Sequence, residues 1–142
     1  MISTLKGEDI NTYLKLMNQL EADYPRVKFI YITGYLDGTG KSGYLNVRNN
    51  QIRNFCRAHN KILFDFADIE SYDPDGKPFL GKNANDECDY WTFWGQKNWA
   101  DEWCNDHPGD CPSCTCAHSK SLNCILKGKA FWWMMARLAG WH

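Results

Sequence analysis

Val27-Lys28-Phe29-Ile30-Tyr31-Ile32-Thr33, halted by Gly34, and then Ile62-Leu63-Phe64 running into Asp65, are the two stretches that decide the fold. Each is a short, nearly continuous apolar and β-branched run, the composition of a strand covered on both faces. Between them, Asn46 to His59 carries Val47, Ile52, Phe55 and Cys56 at helical spacing, with polar residues on its other faces. Strand, helix and strand in that order imply a right-handed parallel unit. The predicted fold class is therefore α/β, with a parallel sheet and covering helices.

Outward from this unit, Ile10, Tyr13, Leu14, Met17 and Leu20 recur every three or four residues from Asp9 to Ala22 and predict a first helix, which Pro25 ends. At the other end, Leu122 to Ala139 predicts a closing helix that Gly140 terminates. Between Ala130 and Ala136 this helix is apolar on nearly every side, so deep burial is expected. More than fifty residues separate Asp65 from that helix without a convincing period; a segment this long is expected to be functional or cross-linked. A parallel pair alone leaves two open edges. Further strands upstream of Met1, or a second copy of the chain, are expected to supply the missing pairing.

The 142 residues, 44% of them apolar, suit one domain with one core. The net charge of −1 and the scattered Lys and Arg carry no footprint for nucleic acid or an anionic membrane, and neither partner is expected. The longest apolar run falls far short of the ~20 residues a membrane-spanning helix needs.

Six of the seven cysteines, at positions 88, 104, 111, 114, 116 and 124, crowd the last third of the chain. Such density points to an oxidising compartment, extracellular or periplasmic. Met1-Ile2-Ser3-Thr4-Leu5-Lys6 lacks the apolar core and cleavage site of a signal peptide. The two observations agree if the exported polypeptide is longer or processed. Three disulfides are expected from these six cysteines, each contributing about 2 to 4 kcal/mol, and Cys56 is expected to be a buried thiol. Cys111-Pro-Ser-Cys114-Thr-Cys116-Ala-His118 also holds enough soft donors for zinc, but a second regularly spaced pair is missing, so no metal is predicted. A thioredoxin-type role for Cys111 and Cys114 lacks the strand-to-helix context.

Gly34 to Ser42 superficially resembles a phosphate-binding loop. Five residues separate Gly34 from Gly40 where that motif requires four, and Gly43 interrupts the helix that should follow, so a flexible glycine loop is expected and no cofactor is predicted. The carboxylate series Asp65, Asp68, Glu70, Asp73 and Asp75, its last two members within Asp73-Pro-Asp-Gly76, could offer calcium its oxygens, yet it lacks the later bidentate Glu, and Pro-Asp-Gly reads as a turn. Asp65 differs: it stands at the carboxyl end of a parallel strand, where open α/β sheets place ligands. With Tyr35 and Asp37 of the glycine loop it forms the expected substrate-binding set. Tyr90, Trp91, Phe93, Trp94, Trp99 and Trp103 are expected mainly to form a small core for the long segment, with one or two lining a groove for a sugar. His59 and His107 are expected at the surface.

The order of these features resembles the carboxyl-terminal half of the SGNH (GDSL-like) hydrolases. A helix precedes a Pro-initiated strand (to Pro25, then Val27 to Gly34); a loop and helix follow (Asn46 to Cys56); a strand ends in an acidic residue (Ile62 to Asp65); and a long excursion leads to Ala117-His118-Ser119 and a closing helix from Leu122 to Gly140. The resemblance implies a partial flavodoxin-like sheet and ester or acyl hydrolysis on carbohydrate or lipid, with His118 as general base. The family's Asp in the His block is replaced here by Thr115, and Asp110 is the candidate to orient the imidazole instead. The family's Ser-bearing Gly-Asp-Ser segment and Gly-x-Asn-Asp segment do not occur in this sequence, so the chain alone is expected to be inactive. A noncatalytic module binding a glycan or protein, and a zinc-dependent structural domain, are the competing expectations.

Overall fold

The computed structural model describes residues 7 to 141; the stretch Met1 to Lys6, read above for a leader, lies outside them. The architecture is mixed α/β. α1 (Gly7–Asp23) leads to β1 (Ile30–Ile32), α2 (Tyr44–Ala58) and β2 (Ile62–Phe64). β1 and β2 pair in parallel, Ile30 opposite Ile62 and Ile32 opposite Phe64, as the strand–helix–strand order predicts. Only three residues of the Val27 to Thr33 run enter the ladder, because β2 offers no longer partner.

The predicted long loop is not irregular. It contains the single-turn α3 (Phe66–Ile69), an antiparallel hairpin of β3 (Asp89–Thr92) and β4 (Gly95–Asn98), and α4 (Trp99–Asp106), before α5 (Ser121–Leu138) closes the chain. Each piece is too short to repeat a period, which is why the sequence conceals it. Asn98 caps α4 by accepting a hydrogen bond from Asp101 N, a role its side chain suits. Asp73 likewise builds the Pro-Asp-Gly turn, its Oδ1 accepting from the amides of Asp75 and Lys77.

Two cores form among the described residues, where one was expected. Ile10, Leu14, Tyr31, Ile52 and Cys56 join α1 and α2 to one face of the parallel pair. Phe79, Cys88, Tyr90, Trp99 and Leu122 are among those forming the second, beneath the hairpin, with Phe79 and Trp99 stacked 5.6 Å apart. The aromatic set thus divides: Tyr90 and Trp99 are buried as expected, whereas Trp91, Phe93 and Trp94 stand exposed on the hairpin.

The expected burial of α5 is overturned. Its inner side packs well: Leu122 is buried, Phe131 meets Phe64 edge-on at 5.8 Å, and Met134 is buried. Its outer side has no neighbour among the described residues. Trp132, Trp133 and Trp141 are 75%, 66% and 75% exposed, and Trp132 and Trp141 border a shallow apolar depression of about 320 Å3. A helix apolar all round requires two covering surfaces, and the described residues provide one. Lys28 Nζ does cap the helix, donating to the Leu138 carbonyl at 2.6 Å.

Two disulfides form instead of three. Cys104 pairs with Cys111 (Cα–Cα 5.1 Å) and Cys116 with Cys124 (6.4 Å), while Cys56, Cys88 and Cys114 remain thiols. Cys88 is held in the second core beside Ser119, and the Cys114 thiol is directed to the Ser121 carbonyl. Two disulfides are consistent with an oxidising compartment. No helix among the described residues is long and apolar enough to cross a membrane. Alkylation of the unfolded, unreduced chain is expected to mark Cys56, Cys88 and Cys114. In the folded chain Cys114 should react first, since burial pushes the Cys88 thiol up to about 12 and also raises that of Cys56. Mass spectrometry showing only Cys56 modified would instead join Cys88 to Cys114.

Candidate functional site

The carboxyl end of the parallel pair is built from polar side chains that lock its loops. Asn49, buried on α2, grips Gly34 twice: its Oδ1 accepts from Gly34 N at 2.7 Å and its Nδ2 donates to Gly34 O at 3.5 Å. Leu36 N donates to Glu70 at 2.7 Å, and Glu70, fully buried, forms an ion pair with Lys127 of α5. Lys127 also lies 4.3 Å over the Phe66 ring. Burial pushes the Glu70 carboxyl above its ordinary value, against the opposing pull of Lys127 and the Leu36 amide.

Of the expected substrate-binding residues, Asp65 is engaged within the protein. Arg53 Nε and Nη2 donate to its two oxygens at 2.6 and 2.8 Å, Thr33 Oγ1 donates at 3.0 Å, and Asp68 N donates at 3.2 Å as the first turn of α3 begins. Its carboxylate therefore closes the strand end and caps α3. Asp37 is exposed, and its Oδ1 accepts from Thr39 N and Oγ1 in a local turn. Tyr35 is half-buried in the loop after β1.

The glycine loop is tightly seated. Gly40 has φ +72°, and a Cβ there would lie 1.9 Å from Asn83 Oδ1, so only glycine fits against that side chain. Asp37 pairs as a bridge with Asn85, which brings the loop after β1 against the corner that precedes β3.

That corner carries His118. Ser119 Oγ donates to the Asp86 carbonyl at 2.6 Å, and Asn123 Nδ2 donates to both Ser119 Oγ (2.8 Å) and Asp86 O (3.3 Å). The Cys116–Cys124 disulfide ties the same segment to α5. Held on both sides, His118 adopts φ +56° and is exposed at the rim of a depression of about 400 Å3. Glu87 and Asp89 are the carboxylates of that depression. The Asp89 oxygens accept from Asn98 Nδ2 and Gln96 Nε2, each at 2.7 Å.

Asp110 lies in the turn after α4, its amide donating to His107 O at 3.2 Å. No hydrogen bond or ion pair joins Asp110 to His118 among the described residues, and Asp110 does not line the depression. His59 is exposed as expected. His107 is half-buried, stacking 4.3 Å from Trp103 with Nε2 3.6 Å from Asp75. No group of three His, Cys, Asp or Glu is arranged to hold a metal among the described residues.

Sequence reasoning missed Asn49, Arg53, Lys127 and the buried role of Glu70. A signal existed for two of them: Asn46, Asn49, Asn50 and Arg53 form a polar stripe at helical spacing, and Arg53 Nη1 donates to Asn46 and Asn50. Glu70 and Lys127 carry no local signal, since each is explained only by the other. No family model, curated protein or solved structure matches this chain.

Proposed function

We propose that this chain is the base-bearing, carboxyl-terminal part of an SGNH-type ester hydrolase acting on acylated carbohydrate or lipid, with β1 and β2 forming part of a flavodoxin-like parallel sheet. The observation that carries the reading is His118, exposed at the rim of a depression and anchored through its neighbour Ser119 to Asp86, which follows the Asn85 that bridges Asp37 of the loop after β1. The open strand edges and the uncovered outer side of α5 favour completion by further strands. Those strands would bring the serine.

In the completed site, His118 takes the proton from that serine as its oxygen attacks the ester carbonyl. The proton then passes to the departing alcohol, and water, activated by the same imidazole, releases the acid and restores the serine. Ser119 is not the nucleophile, because its hydroxyl is committed to the Asp86 carbonyl. Glu87, exposed in the same depression, is better situated than Asp110 to steady the imidazole.

The test is hydrolysis of p-nitrophenyl acetate by the chain alone, by mixtures at rising concentration, and by the chain fused to whatever sequence precedes it in its natural polypeptide. Turnover is expected in the fused form, and His118→Ala should lower kcat/KM by at least about a hundredfold. Turnover unaffected by that substitution, or none in any form, would sink the reading.

A further inference from the structure

Three depressions adjoin along the hairpin and α4. The largest, about 730 Å3, includes Tyr90, Trp91 and Thr92. It shares Lys97, Glu102 and Asn105 with a second of about 520 Å3, which in turn shares Asp89 and Asn98 with the depression at His118. We infer that they form one extended trough that binds a neutral oligosaccharide, with Trp91 as the platform for a sugar ring.

Three observations converge on that ligand. The first is the aromatic exposure: Trp91 is 71%, Phe93 92% and Trp94 87% exposed, on a hairpin that also supplies buried Tyr90 to the core. Of the three only Trp91 lines the trough, and its ring is costly to leave in water unless something apolar and flat covers it. The C–H face of a pyranose is such a surface.

The second is charge. Four lysines (77, 82, 97 and 120) are matched by five carboxylates (87, 89, 101, 102 and 106) along the trough. Four of these nine form ion pairs, Lys97 with Glu102 at 3.0 Å and Lys120 with Asp101 at 2.7 Å, and Tyr90 Oη donates to Glu102 at 2.6 Å. Groups of both signs line the trough, so hydroxyls find both donors and acceptors there. The third is shape, since three adjoining open depressions suit a chain of sugars better than a compact molecule.

Oligosaccharide binding stands by itself. That a bound glycan would present an acyl group to His118 rests on the hydrolase reading above.

The experiment is calorimetric titration of the full chain with xylohexaose, cellohexaose, mannohexaose and chitohexaose. At least one is expected to bind, with Trp91→Ala weakening it by about tenfold or more and Gln96→Ala weakening it less. Trp133→Ala, on the far helix, should leave the affinity unchanged. No binding by any of the four, or binding indifferent to Trp91→Ala, would overturn the inference, as would binding only to polygalacturonate that disappears in salt. The two readings separate cleanly: binding intact in His118→Ala without esterolysis in any form removes the hydrolase and keeps the trough. Esterolysis of an acetylated oligosaccharide with KM unchanged by Trp91→Ala removes the trough and keeps the hydrolase.

Discussion

Replacing Lys127 by Met is expected to destabilise the chain by about 3 to 5 kcal/mol at neutral pH, because it strands the Glu70 carboxylate in the interior without its cation. The Leu36 amide, 2.7 Å away, would be left to donate to it without a cation. The loss should depend on pH. The unfolded Glu titrates at its ordinary value, whereas burial raises the folded one, so folding takes up a proton. The stability that this contributes is complete below the unfolded value and is lost as pH rises through the folded value. Without Lys127 the folded value climbs further. The deficit of the variant should therefore be smallest in acid and widen towards neutrality, and urea titrations at about pH 4 and about pH 7.5 would read it. Adding Glu70→Gln to the Lys127 variant should recover most of the loss, since it removes the charge that had been stranded. A variant that unfolds like the parent at both pH values would show that Glu70 and Lys127 do not join α5 to the parallel unit.

Asp65→Ala should cost about 3 kcal/mol through loss of the Arg53 pair and about 1 kcal/mol more through loss of the α3 cap. Arg53 is largely buried, so its guanidinium cannot simply turn to water when its partner is removed. Thr33 would lose an acceptor as well, although it would still accept from Ala67 N. Asp65→Asn keeps an oxygen for the cap but no charge for the fork, and should fall between parent and Ala. Thermal melts of the three proteins provide the ordering. If all three melt together while ligand binding fails, Asp65 serves substrate and not structure.

The contrast between Asp65 and His118 shows how far a site could be read from sequence. Position after a strand was enough to single out Asp65, but not to reveal that Arg53, one helix earlier, would occupy both of its oxygens. His118 stood out by resemblance alone. Its surroundings depend on Asp86, Asp89 and Asn98, which approach it through the hairpin and through no repeating pattern. Trp91 and Trp99 differ by eight positions and are both tryptophan, yet one is buried against Phe79 and the other exposed. Trp99 opens α4 and packs beneath the hairpin, whereas Trp91 lies on the outward face of β3, and a four-residue strand is too short for its alternation to be recognised in advance.

Local chemistry determined the parallel unit. The apolar runs at β1 and β2, the amphipathic period of α1 and α2, and the glycine turns are properties of neighbouring residues, and they form the elements that they predict, although Leu20, Val27, Ile32 and Val47, read as covered, stand exposed. Tertiary structure alone decided which cysteines pair, that the outer side of α5 stays uncovered, that Glu70 meets Lys127, and that His118 shares a depression with Glu87. The last two join residues far apart along the chain, a separation that leaves no periodic trace for the sequence to show.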